Sequence, residues 1–242
     1  MNPVTAKRAH YDSLRNQYPG SIITESYLRL ETPIEGTFTN IAFNVLANQG
    51  TPTATEQRLQ IADGFVITKF GFTLLKVPTT TTAAPTAAQQ GAAQIYSYPN
   101  ATAFSQSGQA ANLLSIYNGY LSFRYRNTVY MESYAMQNFY SVPTSQEGTT
   151  TAVYYNSGAT TYTIAKSGWQ PETSMVSIEP TMKISGTQKI DININLPASV
   201  NLAGSGSGSQ TVACLWMKGF KVANGARAFD KEQADVKHIG RR

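Results

Sequence analysis

The sequence predicts an all-β protein built as an antiparallel sandwich or barrel, on the strength of composition, periodicity and turn signals. Of the 242 residues 20 are serine and 28 threonine, whereas only 14% are charged. Such a chain is short of residues that favour helices and rich in residues that favour strands and turns. Apolar and polar residues alternate with a period of two along much of the stretch 21–223, and Gly, Pro and Asn separate the alternating runs.

The alternation is clearest in residues 189–196, where isoleucines point to one side of a strand and polar residues to the other. We expect Pro197 to end this strand, because proline cannot donate to a sheet ladder. Seen in order along the chain, the same alternation or short apolar runs predict eight to fourteen strands. These predicted strands occupy residues 22–30, 38–46, 65–77, 115–126, 128–140, 153–155, 162–164, 175–178, 182–184, 189–196 and 212–222.

Glycine and asparagine predict where these strands bend or turn. Gly71 lies in the middle of the long run 65–77 and predicts a bulge or bend there. Asn118-Gly119 between apolar runs is typical of a two-residue hairpin turn. Asn156-Ser157-Gly158 predicts a second hairpin.

Helices are expected only as short segments, at residues 6–15, 110–114 and 228–236. Three stretches rich in Thr, Ala, Gly or Ser are long for a minimal sandwich, and we expect them on the surface as loops. These loops are residues 78–112, 144–161 and 203–210.

The formal net charge of +5 lies at the two ends of the chain. Residues 1–20 carry +2, residues 218–242 carry +4, and the remaining residues together carry −1. We therefore divide the chain into a basic N-terminal arm (1–20), a β body (21–223) and a basic C-terminal arm (224–242). The arms are either simply solvated or flexible segments that contact nucleic acid or lipid head groups weakly and without sequence preference. The candidate contact residues are Lys7, Arg8, Arg15, Lys231, Lys237, Arg241 and Arg242.

Cysteine and histidine are too scarce for most catalytic or metal chemistry. Cys214 is the single cysteine, which excludes a cysteine-based zinc site and an intramolecular disulfide. His10 and His238 lie near opposite ends of the chain, so we do not expect a histidine-based triad or metal centre. No run of 18 apolar residues and no apolar signal region occur, so we expect synthesis in a cytoplasm, no membrane-spanning helix and no general export.

Carboxylate pairs are the remaining catalytic candidates. A glycosidase needs two carboxylates facing each other across a cleft, and Glu31 with Glu35, or Glu132 with Glu179, are the pairs to consider. No motif singles them out. We therefore expect a protein that is not an enzyme and that holds neither a metal nor a cofactor.

The order of the predicted elements gives the body a specific resemblance. It resembles the jelly-roll capsid proteins of small and tailless bacterial viruses. The segments that carry this resemblance are SYLRLETPIEGTFTNIAFNVL, Asp63-Gly64-Phe65, Tyr117-Asn118-Gly119, Phe139-Tyr140-Ser141-Val142-Pro143, GTQKIDININLP and LWMKGFKV, which together extend over residues 21–223.

The resemblance implies a structural subunit of a virion that assembles with copies of itself into capsomers and contacts other virion proteins. One jelly roll with long loops fits the length more easily than two, and a compact double roll stays open. The resemblance also implies that the terminal arms reach toward genome, internal membrane or neighbouring subunits. A virion spike or fibre, or a surface module that binds glycans, is the alternative function.

Overall fold

The computed structural model describes residues 3–79, 84–104, 108–142, 175–202 and 208–231. Strands dominate it, and the helices are short apart from the one that precedes the first strand. Residues 226–231 form a final helical segment after the last strand. The other elements in chain order are α1 (Pro3–Gln17), β1 (Ile23–Pro33), β2 (Gly36–Phe43), β3 (Gly64–Pro78), α2 (Ala87–Gly91), β4 (Gln94–Tyr96), α3 (Gln109–Tyr117), β5 (Tyr120–Tyr125), β6 (Thr128–Ala135), a 3-10 turn (Met136–Phe139), β7 (Met175–Ser185), β8 (Ile190–Leu202) and β9 (Ser209–Val222).

The strands form two antiparallel sheets. The first sheet has the order β1-β9-β3, and both β4 and β7 pair with the free edge of β3. The second sheet has the order β2-β8-β5-β6. The prediction of an all-β, sandwich-like protein is confirmed at this level.

The main core fills the space between the two sheets. In β8 the buried Ile190, Ile192 and Ile194 alternate with more exposed polar residues, because the other face of the second sheet is open to solvent. In β3 and β9 nearly every residue is buried, because the outer face of the first sheet is covered as well. This covering explains why these two strands read as continuous apolar runs rather than as alternation.

Most element predictions are confirmed where the structure describes the chain. The predicted strands 22–30, 38–46, 65–77 and 212–222 correspond to β1, β2, β3 and β9, and the segments 175–178 and 182–184 are parts of the single strand β7. The helices predicted at 6–15 and 110–114 lie within α1 and α3. The predicted strands 153–155 and 162–164 lie outside the described residues.

The hairpin predicted at Asn118-Gly119 is wrong. These residues end α3, where the Asn118 N–H donates to the Ser115 carbonyl, and lead directly into β5. A Cβ on Gly119 would lie 2.7 Å from the Asn195 backbone oxygen, so the glycine allows α3 to end close against β8. The nearby hairpin joins β5 to β6 instead, and its first turn residue, Arg126, has a φ of 57°.

Two other local predictions are also wrong. The bulge in β3 lies at Thr68, where the pairing with β9 shifts, and Gly71 is regularly paired. Pro197 does not end β8, which continues to Leu202. Its missing N–H is tolerated because β5 pairs with β8 only up to Asn195 and the pairing with β2 is irregular between Asn195 and Val200.

The stretch 78–112, which we predicted as a surface loop, supplies part of the core in its described portions. Tyr96 and Phe104 are buried with their rings 5.5 Å apart, and β4 extends the edge of β3. The surrounding sequence is rich in Thr and Ala, which favours a surface loop, and therefore does not predict that these two aromatic side chains are buried.

The close approach of β9 and β3 yields a stability prediction. A Cβ on Gly219 would lie 1.8 Å from the Val66 backbone oxygen, so Gly219→Ala must push the two central strands apart. We expect the free energy of unfolding to fall by about 3 kcal/mol. The melting temperature, measured by calorimetry or thermal circular dichroism, should then fall by roughly 6–12 °C. Gly91→Ala is the matched control, because a Cβ there meets nothing within 4 Å, and it should change stability by less than about 0.5 kcal/mol. Equal melting temperatures for the two variants would contradict the prediction.

Candidate functional site

The N-terminal segment, which we predicted as a flexible arm, lies against the outer face of the first sheet from residue 8 onward. Leu14 is 2% exposed and Tyr18 5% exposed, and they belong to one apolar cluster with Val66 and Phe220. Tyr11 packs against the same cluster. The spacing of these three residues places them on one side of a helix, so the apolar side of α1 is occupied by the sheet.

The C-terminal segment lies beside the N-terminal one. Phe229 in the helical segment 226–231 is fully buried, and its ring centroid is 4.8 Å from that of Tyr18. A Cβ on Gly64 would lie 2.8 Å from the Phe229 ring, so the glycine at the start of β3 makes room for it. Residues 8–18 and 226–231 therefore lie side by side on the outer face of the first sheet.

Polar contacts fix the C-terminal segment to three loops. The Asp230 carboxylate forms an ion pair with Arg126 at 2.5 Å and accepts a hydrogen bond from the Thr187 hydroxyl. The Asn224 N–H donates to the Asp63 carboxylate at 3.0 Å. These bonds join the segment to the β5–β6 turn, the β7–β8 turn and the loop before β3. We therefore revise the predicted flexible C-terminal arm: as far as residue 231 it is packed and hydrogen-bonded to the body.

The helical geometry of α1 separates charge from apolar packing. Arg8, Asp12 and Arg15 follow each other at helical spacing and are exposed. Lys231 is exposed as well. Arg8, Arg15 and Lys231 of the predicted site are thus exposed on the two segments that pack together through Tyr18 and Phe229. The side chain of Lys7, and residues Lys237, Arg241 and Arg242, lie outside the described part of the chain.

Two further cations belong to this surface although the site prediction did not include them. Arg227 is exposed on the final helical segment. Lys183 on β7 donates to the Gln17 side chain at 2.9 Å, and its ammonium lies 5.5 Å from the centre of the Tyr18 ring. Nothing in the sequence near Lys183 indicates this contact, because it depends on how α1 crosses the sheet. We define the basic terminal surface as Arg8, Arg15, Lys183, Arg227 and Lys231.

His10 lies under α1 in an unusual setting. Its ring centroid is 5.4 Å from that of Phe220, and Nε2 is buried without a hydrogen-bond partner among the residues described. Burial, and secondarily the charge of Lys183, lower the pKa of His10. The neutral form of His10 is therefore favoured where α1 meets the sheet.

The carboxylate pairs considered from the sequence are not brought together as catalytic pairs. Glu31 is buried, pairs with Arg29 at 2.6 Å and accepts hydrogen bonds from the Thr53 and Thr55 hydroxyls, whereas Glu35 accepts from Gln210. Such contacts hold the loop after β2 against the edge strand β1, which protects that edge.

The second pair is divided between the two sheets, and the cysteine is enclosed. Glu132 lies on β6 and Glu179 on β7. Cys214 is fully buried, and burial raises the pKa of its thiol. In the described portions of the chain, no three His, Cys, Asp or Glu side chains cluster in a way that could hold a metal ion.

No family model, no curated protein and no solved structure matches this chain. Among the helices that the structure describes, none has the length and apolar character needed to cross a membrane.

The setting of His10 predicts that the docking of α1 depends on pH. Detached from the sheet, His10 has its ordinary pKa of 6.5, and docked it has a lower one, so the detached helix binds the proton more readily. Docking should be strongest above about pH 6.5 and weaken as the pH falls below that value. Hydrogen-exchange protection factors of residues 8–18, compared at about pH 7.5 and pH 5, measure this effect.

His10→Phe is the control for this measurement, because it keeps a ring against Phe220 and removes the titrating group. Its protection factors should not change between the two pH values. Equal pH dependence in His10→Phe and the unaltered protein would show that another group is responsible.

Proposed function

We propose that this chain is a structural subunit of a viral shell whose body is a single jelly roll. The observation that carries the proposal is the nesting of the strand pairs. With the short β4 set aside, eight strands remain, and they pair from the outside of the sequence inward as β1·β9, β2·β8, β3·β7 and β5·β6. This nested pairing describes one long antiparallel ribbon, in which the second half of the chain runs back alongside the first half.

The additional pairs support a rolled ribbon. β9 also pairs with β3, and β5 also pairs with β8, which divides the ribbon between two sheets. Eight strands in two sheets made in this way are the arrangement of a jelly roll. The nested set runs from β1 to β9, and this favours one roll with long connections over two compact rolls.

The interior favours a structural role over a ligand-holding barrel. Large aromatic side chains, among them Phe70, Phe72, Tyr117 and Phe123, are buried between the sheets and pack edge to face. A packed interior leaves the outer surfaces to carry the function. Jelly rolls occur in viral capsids and in lectins, and both use their outer surfaces and loops.

Exposed apolar side chains at one end of the molecule favour contact with copies of the same chain. Leu114 on α3, Tyr120 at the start of β5, and Tyr140 and Val142 after the 3-10 turn are each more than 40% exposed. Ring packing of Tyr140 on Tyr117 at 5.2 Å keeps that segment beside α3. Apolar and tyrosine side chains of this kind are typical of protein interfaces.

The basic terminal surface favours nucleic acid over a membrane as its partner. Amphipathic helices that bind membranes bury an exposed apolar side in the bilayer. In the N-terminal segment that side, Leu14 and Tyr18, is already packed on the sheet, so the charged residues that the helix presents to solvent are Arg8, Asp12 and Arg15. Exposed arginines without an apolar side suit contact with phosphates, independent of base sequence.

Assembly is tested by placing a charge in the exposed apolar end. We expect the purified protein to form capsomers or shells in electron microscopy and sedimentation velocity. Leu114→Glu should shift it to smaller species, because a buried unpaired carboxylate opposes association. Ile61→Glu is the matched control: Ile61 is 48% exposed against 44% for Leu114, and it lies in the loop between β2 and β3. A monomer at every concentration, or equal effects of the two variants, would refute the proposal.

Nucleic-acid contact is tested by neutralising single cations. Arg15→Gln should weaken binding to DNA of random sequence and reduce the slope of log K against log salt by up to about one. Arg124→Gln is the matched control, since Arg124 is exposed on the outer face of the second sheet whereas the terminal segments pack on the first. Flotation with anionic vesicles tests the membrane alternative, and binding to vesicles rather than to DNA would overturn this assignment.

A further inference from the structure

A groove of about 520 Å³ lies on the outer face of the second sheet, over β8, β5 and β6. Arg124, Glu132, Asn193, Val129 and Met131 are among its lining residues. The terminal segments pack mainly on the outer face of the other sheet, and Asp230 also reaches Arg126 at the turn between β5 and β6.

Irregular pairing between β5 and β6 shapes this groove. The register shifts twice within the hairpin, between Leu121 and Phe123 and again between Phe123 and Arg124. As a result, β6 has extra residues opposite β5. Bulges of this kind bend a strand, change where its side chains point, and are frequent beside functional sites.

Part of the groove is held in place by its own hydrogen bonds. The Asn40 amide donates to the Asn195 side chain at 2.7 Å, and the Asn195 amide donates to the Ser122 hydroxyl at 3.3 Å. Lys189 pairs with Asp191 at 3.0 Å. These contacts give one wall of the groove a fixed arrangement of polar groups before any ligand arrives.

Other polar groups in the groove are unused. Within the described chain, the side chains of Arg124, Glu132 and Asn193 form no hydrogen bond and no ion pair. They offer a charged donor, a charged acceptor and an amide that does both. The groove also has an apolar part, which includes Val129, 45% exposed, and the partly buried Met131.

The charges identify the class of ligand. Arg124 and Lys189 balance Glu132 and Asp191, so the groove has no net charge and does not select an anion such as a phosphate. A ligand that is neutral, that both donates and accepts hydrogen bonds, and that carries an apolar C–H face matches these groups. Sugars have this combination, because their ring hydroxyls do both and one side of the ring is apolar.

We propose that this groove is a binding site for a neutral glycan, with Arg124, Glu132 and Asn193 bonding the sugar hydroxyls and Val129 contacting the ring. The proposal does not rest on the shell function. It would hold equally for a shell subunit and for a free surface module, because it depends only on the outer face of the second sheet.

Saturation-transfer NMR on the full chain tests the site, with maltotriose, cellotriose, chitotriose and lactose each at about 10 mM, a range suited to millimolar affinities. We expect saturation of sugar ring protons by the unaltered protein for at least one of the four. Arg124→Gln and Glu132→Gln should each weaken the affinity about tenfold, because each removes a charge-assisted hydrogen bond. Glu179→Gln, at an exposed carboxylate on β7 of the first sheet, is the matched control and should bind as the unaltered protein does.

Circular dichroism of each variant confirms that its fold is intact before the titration is read. No saturation from any of the four sugars, or unchanged binding in both groove variants, overturns the proposal. Stronger binding of an acidic trisaccharide such as sialyllactose would show that the ligand class is wrong. Self-association that Arg124→Gln abolishes would identify the face as an interface between copies instead.

Discussion

The central position of β9 in the first sheet is the constraint on which the rest of this structure depends. β9 pairs with β1 along one edge and with β3 along the other, and both of its faces are largely buried. Because it is the last strand, the first sheet cannot form until nearly the whole chain is present. Contacts between residues so far apart in sequence are typical of sandwich folds, which form slowly for this reason.

The same pairing explains why the segments that flank β1 and β9 meet. Ile23 at the start of β1 lies opposite Val222 at the end of β9. The segment before β1 and the segment after β9 must therefore leave the sheet at the same place. Tyr18 and Phe229 pack together there. This apolar contact brings the cations of both segments to one surface.

Local patterns predicted the strands well where one face of a strand is open to solvent. The alternation in β8 survives in the fold because only its inward isoleucines are buried. Asn118-Gly119 was misread because the same dipeptide suits a hairpin turn and the end of a helix, and only the contact with β8 decides between them. The packing of the terminal segments could not be predicted from local patterns either. It follows from the pairing of β1 with β9, which lie near opposite ends of the sequence.

The candidate residues could be predicted where their placement depends on nearby sequence, and could not where it depends on contacts between distant parts of the chain. The charge of Arg8 and Arg15 makes them candidates in the sequence, and helical spacing from Leu14 and Tyr18 accounts for their exposure. Lys183 and the groove on the second sheet carry no local signal. Lys183 joins the basic surface through the path of α1, and Arg124 and Glu132 share a groove through the register shifts of β5 and β6.

The two outer faces differ in charge, and this follows from which face the terminal segments cover. Terminal segments bring unbalanced cations to the first sheet, whereas the groove on the second sheet has equal numbers of cations and carboxylates. Salt screens exposed charges beyond roughly 8 Å at physiological ionic strength, so attraction of a polyanion to the first face depends strongly on salt. Hydrogen bonding of a neutral ligand on the second face does not release counterions. Two binding events with different salt dependence can therefore occupy one small sandwich without competing for the same surface.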